Sequence, residues 1–192
     1  MQQIQELIQT GQIDTAIRET EKELAQLPSS GFHDVIGKDL LHLKAPLTAY
    51  FNYFYTVMTE EEELDIEALY IEMNSFTTQY DKWFLHLLAY ESVANRENLD
   101  WLSDFSGESE KTFTITGFET LQQTNKTYMQ TEGYRDDALR QACELHEYLV
   151  ILRVHELVTA TIGANKGKAP WADIPVFVGA HDYEDLIHVI QS

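Results

Sequence analysis

The stretch that decides the fold class begins Thr59-Glu60-Glu61-Glu62-Glu63-Leu64-Asp65-Ile66-Glu67-Ala68-Leu69-Tyr70-Ile71-Glu72-Met73 and runs on to Ala94. Thr59 stands three residues before Glu62, the spacing at which a hydroxyl and a carboxylate close a capping box. Glu60–Glu63 suit the positive end of a helix dipole. Leu64, Ala68, Leu69, Ile71 and Met73 then supply an apolar face. Phe76, Tyr80, Trp83, Phe84, Leu87 and Leu88 extend the pattern into a further helix ending near Ala94. The whole stretch reads as helical.

Upstream, residues 32–58 carry Ile36, Leu40, Leu43, Leu47, Tyr50, Phe54 and Met58 at three- and four-residue spacing. Pro46 removes one backbone donor inside this run, which predicts a kink or a break. Tyr50, Phe51, Tyr53, Phe54 and Tyr55 place aromatics all round the helix, as core or as an exposed surface.

Earlier still, residues 4–28 form a helical hairpin pattern with a break at Thr10-Gly11 and a stop at Pro28. The run Gly11-Gln12-Ile13-Asp14-Thr15-Ala16-Ile17, with Leu24 and Pro28, resembles a tetratricopeptide unit. That resemblance implies two closely packed antiparallel helices. One repeat later the register falls on Ala45-Pro46-Leu47, where the glycine turn does not recur.

Downstream, Thr112–Ile115 alternates like a short strand, and Thr116–Glu119 opens a helix that Gly133 ends. A long helix follows from about Arg135 to Ile162, with Gly163 as its stop. Lys166–Pro170 reads as loop, residues 174–178 as extended, and His181–Ile190 as a short helix. The expectation is one all-α domain over residues 1–192. It is a multi-helix bundle or a short helical-hairpin array, with at most one small β element near 112–115 and 174–178.

Composition bounds function. Of the 192 residues, 44% are hydrophobic, a globular share, and the net charge is -19 from 13 basic and 32 acidic residues. Nucleic-acid binding is driven by cations that displace phosphate counterions, so DNA, RNA and anionic membranes are poor partners for this chain. A basic protein would be steered toward it. The single cysteine, Cys143, excludes an internal disulfide. With no apolar stretch of signal or spanning length, the chain reads as cytoplasmic.

Four motifs carry residues suited to chemistry. His181, Asp185 and His188 share one face if residues 181–190 are helical, which would suit zinc or another divalent metal, although the spacing matches no established motif. His146 and His155 are nine residues apart and turn to opposite faces of the long helix. Gly163–Ala169 looks like a phosphate loop but has three residues between its glycines, no hydroxyl after Lys168, and a helix in front. Cys143 has acidic neighbours, the reverse of what a reactive thiolate needs.

No pattern fixes a reaction or requires a cofactor. The reading is a non-enzymatic interaction module, similar in composition to small acidic immunity and inhibitor proteins. It would present Glu60, Glu61, Glu62, Glu63, Asp65 and Glu67 to a basic partner. The alternatives are a metal-dependent enzyme or sensor on the His181, Asp185, His188 set, and a scaffold that forms homo-oligomers through residues 50–55.

Overall fold

The computed structural model describes residues 2–78, 80, 82–94 and 99–190, with Gln2 and Gln3 by backbone only. The chain folds as helices α1 (Gln2–Gln9), α2 (Ile13–Leu24) and α3 (Lys44–Thr56), then strands β1 (Ala68–Met73), β2 (Phe84–Tyr90), β3 (Gly107–Glu108) and β4 (Phe113–Thr114). Helices α4 (Glu119–Gln130) and α5 (Asp137–Asn165) follow, and strands β5 (Val176–Ala180) and β6 (His188–Ile190) close the described chain. Short 3₁₀ turns link several of these elements.

The protein is therefore mixed α/β, which overturns the all-α expectation. The sheet has six strands in the order β3-β2-β1-β5-β6, with β4 also on the free side of β2. β1 and β5 run parallel, with Leu69 opposite Val176, and every other pair is antiparallel. The proposed bundle or hairpin array is replaced by helices laid on one sheet face.

The physical reason lies in the burial of β1 and β2. Leu69, Ile71 and Met73 point into the main core under the helices, whereas Ala68 and Tyr70 point to a smaller cluster on the opposite face. Likewise Leu85, Leu87 and Ala89 face the helices, while Leu88 and Tyr90 face the other side with Leu102 and Phe177. A strand covered on both faces keeps no polar side, so its sequence loses the two-residue alternation. Short apolar runs of this kind fit a helical template equally well.

The long helix α5 is the centre of the helical layer. Asp136 caps it, accepting a hydrogen bond of 3.0 Å from the Leu139 amide. Leu145, Leu149, Val150, Leu152, Leu157 and Val158 are buried along it, more than one stripe of the helix. It packs against α2 and α3 on its flanks and β5 beneath. No helix among the described residues is long and apolar enough to cross a membrane.

The periodic run 32–58 is not one helix but breaks beside Pro46, as that residue predicts: α3 starts at Lys44, and the missing donor falls in the first turn, where no intrahelical acceptor exists. One further expectation needs correction. Residues 181–190 are not a helix: His181 follows β5, Asp185 sits in a 3₁₀ turn and His188 opens β6. The extended segments at 113–114 and 176–180 both join the sheet, but to β2 and β1 respectively, not to each other.

Candidate docking groove

Helix α3 has two working faces. Leu47, Phe51, Phe54 and Met58 recur at four- and three-residue spacing and are all buried. Phe51 stacks on Trp171 with ring centroids 4.6 Å apart, and Trp171 donates to the Asn52 side chain at 2.6 Å. The neighbouring stripe, Tyr50, Tyr53 and Val57, faces the segment 108–116 instead. Between them lies a groove of about 450 Å³, with Leu43, Pro46 and Met58 completing its α3 side. That volume falls within the range of about 300–1,000 Å³ usual for ligand sites.

The opposite wall is pinned to α3 by one side chain. The Tyr50 hydroxyl lies 2.8 Å from Ser109 Oγ and 2.7 Å from the Lys111 carbonyl, while Ser109 Oγ accepts from the Leu87 amide at 3.1 Å. Tyr50 also packs on Phe113 at 5.6 Å between centroids. Burial pushes the Tyr50 phenol pKa up, so the hydroxyl stays protonated as a donor. Met58 and Leu64 pack directly over the Gly107 backbone: a Cβ on it would fall 3.0 Å from Leu64 Cδ1 and closer still to Met58 Sδ, so both side chains would have to shift. Tyr53, by contrast, is 55% exposed at the mouth.

The groove ends on the acidic turn. The five residues Val57–Glu61 widen into a π-helical turn, and the chain leaves it through Glu63 in the left-handed region at φ 56°. The Glu62 amide bonds the Val57 carbonyl and the Leu64 amide the Met58 carbonyl, which closes a helix end. Thr59 does not cap a helix start; its hydroxyl donates back to the Tyr55 carbonyl at 2.8 Å. Glu60–Glu63 thus sit at the negative end of α3, opposite to the placement a capping box implies. Glu60, Glu61, Glu62, Glu63, Asp65 and Glu67 are all exposed, and none forms an ion pair with a described residue. Glu108 and Glu110 add two carboxylates to the far wall, with Lys111 as its one cation among the described residues.

The aromatic run is therefore divided by the fold. Phe51 and Phe54 are core, Tyr50 is a half-buried strut, Tyr53 is exposed, and Tyr55 is half-buried against the core. Sequence reasoning missed the second wall, residues 108–116; the alternation at 112–115 marked a strand but not its place.

The other candidates are dispersed. His181 Nδ1 lies 3.6 Å from Glu72 Oε1, in a concavity of about 860 Å³ at the carboxyl ends of β1 and β5. His188 instead packs toward His155, with centroids 6.3 Å apart, beside the α1–α2 loop. Among the described residues no group of three or more His, Cys, Asp or Glu side chains is placed to hold a metal ion. The glycine loop after α5 is exposed and satisfied within the chain: the Gly167 amide donates to Asp173 Oδ1 at 2.9 Å, which sets a carboxylate where a phosphate loop needs an anion ligand.

Cys143 and Glu147 belong to a buried polar chain. The Tyr183 hydroxyl donates to Glu147 Oε2 at 2.6 Å, and Cys143 Sγ lies 3.5 Å from Glu147 Oε1. Burial, followed by the Glu147 charge, pushes the thiol pKa far up, so Cys143 is no nucleophile. His146 Nδ1 is held 2.8 Å from the Cys143 carbonyl, and burial lowers its pKa to about 4. It is a neutral core residue among Phe32, Phe76 and Trp83.

Set against protein-family models, curated proteins and solved structures, the chain matches none.

Proposed function

We propose that the protein is a non-enzymatic interaction module of the inhibitor type that docks a basic protein partner on the turn 60–67. One observation carries this reading. Four successive glutamates occupy the C-terminal end of α3, where the helix dipole disfavours negative charge by about 0.3–1 kcal/mol each. None of them forms an ion pair with a described residue to offset that cost. Folding alone gives no reason for the arrangement, and a broken local rule without compensation marks a functional surface. The left-handed Glu63 is a second locally unfavourable feature in the same turn.

A basic partner supplies the missing positive potential. Its approach would be steered by the -19 net charge and then focused at this turn. Reversing Glu60, Glu61, Glu62 and Glu63 to Lys should slow association with the captured partner roughly tenfold or more and flatten its salt dependence. Capture from the native cell of neutral or acidic partners only, or an association rate untouched by the reversal, overturns the reading. The exposed location of all four side chains keeps the variant folded.

A further inference from the structure

We infer that the groove between α3 and residues 108–116 takes one large apolar side chain from a cationic segment of that partner. The inference rests on the docking reading above and names how the partner is gripped. The interior of the groove is apolar, built by Pro46, Tyr53, Phe54, Val57, Met58 and Phe113. Its rim is acidic on balance, with Glu108 and Glu110 beside Lys111 on one wall, and Glu60–Glu63 follow shortly after the lining residue Met58 on the turn that ends α3. A buried apolar anchor ringed by polar groups is the anatomy of an interface hot spot.

Charge complementarity selects the occupant. A second copy of this chain would bring another -19 to an acidic rim, so self-association there is repelled. An anionic or neutral segment leaves the rim uncompensated. Lys or Arg flanking a Leu or an aromatic residue satisfies both parts at once: the apolar group leaves water while its neighbours reach the carboxylates. Tyr53 at the mouth offers such cations an aromatic face as well.

Synthetic peptides test this on the full chain. One carries Lys and Arg on both sides of a single Leu, a second replaces that Leu with Gly, and a third keeps Leu between Glu residues. Burial of a Leu side chain is worth roughly tenfold or more in affinity, so the first peptide should outbind the second by that factor. It should also shift the ring resonances of Tyr53 and Phe113. Tyr53→Ser, at an exposed site, should remove most of that margin, whereas Tyr53→Phe should keep it. Equal binding of the first two peptides, with shifts confined to residues 60–67, overturns the groove and leaves the acidic docking turn standing. Binding of the third peptide as tight as the first overturns the cationic occupant. No binding of either cationic peptide overturns both this inference and the function it rests on.

Discussion

The Tyr50 hydroxyl, 2.7 Å from the Lys111 carbonyl, ties helix α3 to the edge of the sheet. Because the same oxygen also meets Ser109 Oγ at 2.8 Å, one phenol fixes the width of the groove. Tyr50→Phe keeps the ring against Phe113 and deletes only the polar tip. Stability should fall by about 1 kcal/mol, the usual worth of such a bond, read from the urea midpoint at unchanged slope. Hydrogen exchange across residues 108–114 should speed up more than in α5. Uniform change in both regions would show that the hydroxyl does not hold the wall.

Arg153 is the one cation set into the helical core among the described residues. Its side chain is 10% exposed and bridges Glu21 at 2.8 Å and Glu156 at 3.0 Å, joining α5 to α2. Glu21 in turn accepts from the Gly37 amide at 2.9 Å, so the bridge also anchors the loop after α2. Arg153→Ala leaves two half-buried carboxylates without their partner and should cost about 3 kcal/mol in chemical denaturation. Arg153→Met, which refills the space, should cost less than the alanine variant. A cost under about 0.5 kcal/mol for Arg153→Ala would place the bridge with ordinary surface pairs.

His155 sets part of the acid sensitivity. Burial, with His188 adding to it and the Leu186 backbone opposing, lowers its pKa to about 3. The folded chain refuses a proton that the unfolded chain takes up below about pH 6.5, so stability is lost as pH falls through that window. The slope contributed approaches about 1.4 kcal/mol per pH unit. His155→Leu should flatten stability against pH between about 4 and 6 by close to that amount, whatever its effect at neutral pH. His146, lowered to about 4, keeps its own share of the acid limb. An unchanged slope in the leucine variant would mean that His155 is protonated alike in both states.

What the sequence made legible followed from local rules. The boundaries of α2, α4 and α5 lie close to their apolar periodicity, whereas the sequence leaves open whether the acidic segment 60–67 faces solvent; its six carboxylates do, with Ile66 buried between them. The errors came where tertiary contacts reverse a local signal. Thr59 and Glu62 have the spacing of a capping box, yet Leu64 turns away to meet β3, and the turn closes a helix instead of opening one. Ala68–Met73 lost its alternation because Trp101 and Leu102 cover the face opposite the helices, packing on Tyr90 and Phe177. The groove was illegible for the same reason: its walls are 59 and 61 residues apart along the chain where Tyr50 bonds Ser109 and Lys111.

The partner of Leu69 across the parallel pairing is Val176, so β5, flanked by β1 and β6, is supplied by a segment that leaves the ribosome only after α4 and α5. Throughout synthesis of α4 and α5, the β1–β2 hairpin carries an open edge of apolar residues, a template for pairing with other chains. Non-local parallel pairing is also slow to form. A nascent chain of this protein is therefore exposed to aggregation until residues 176–180 have emerged, and its yield in cells should depend on chaperone supply more than its finished stability suggests.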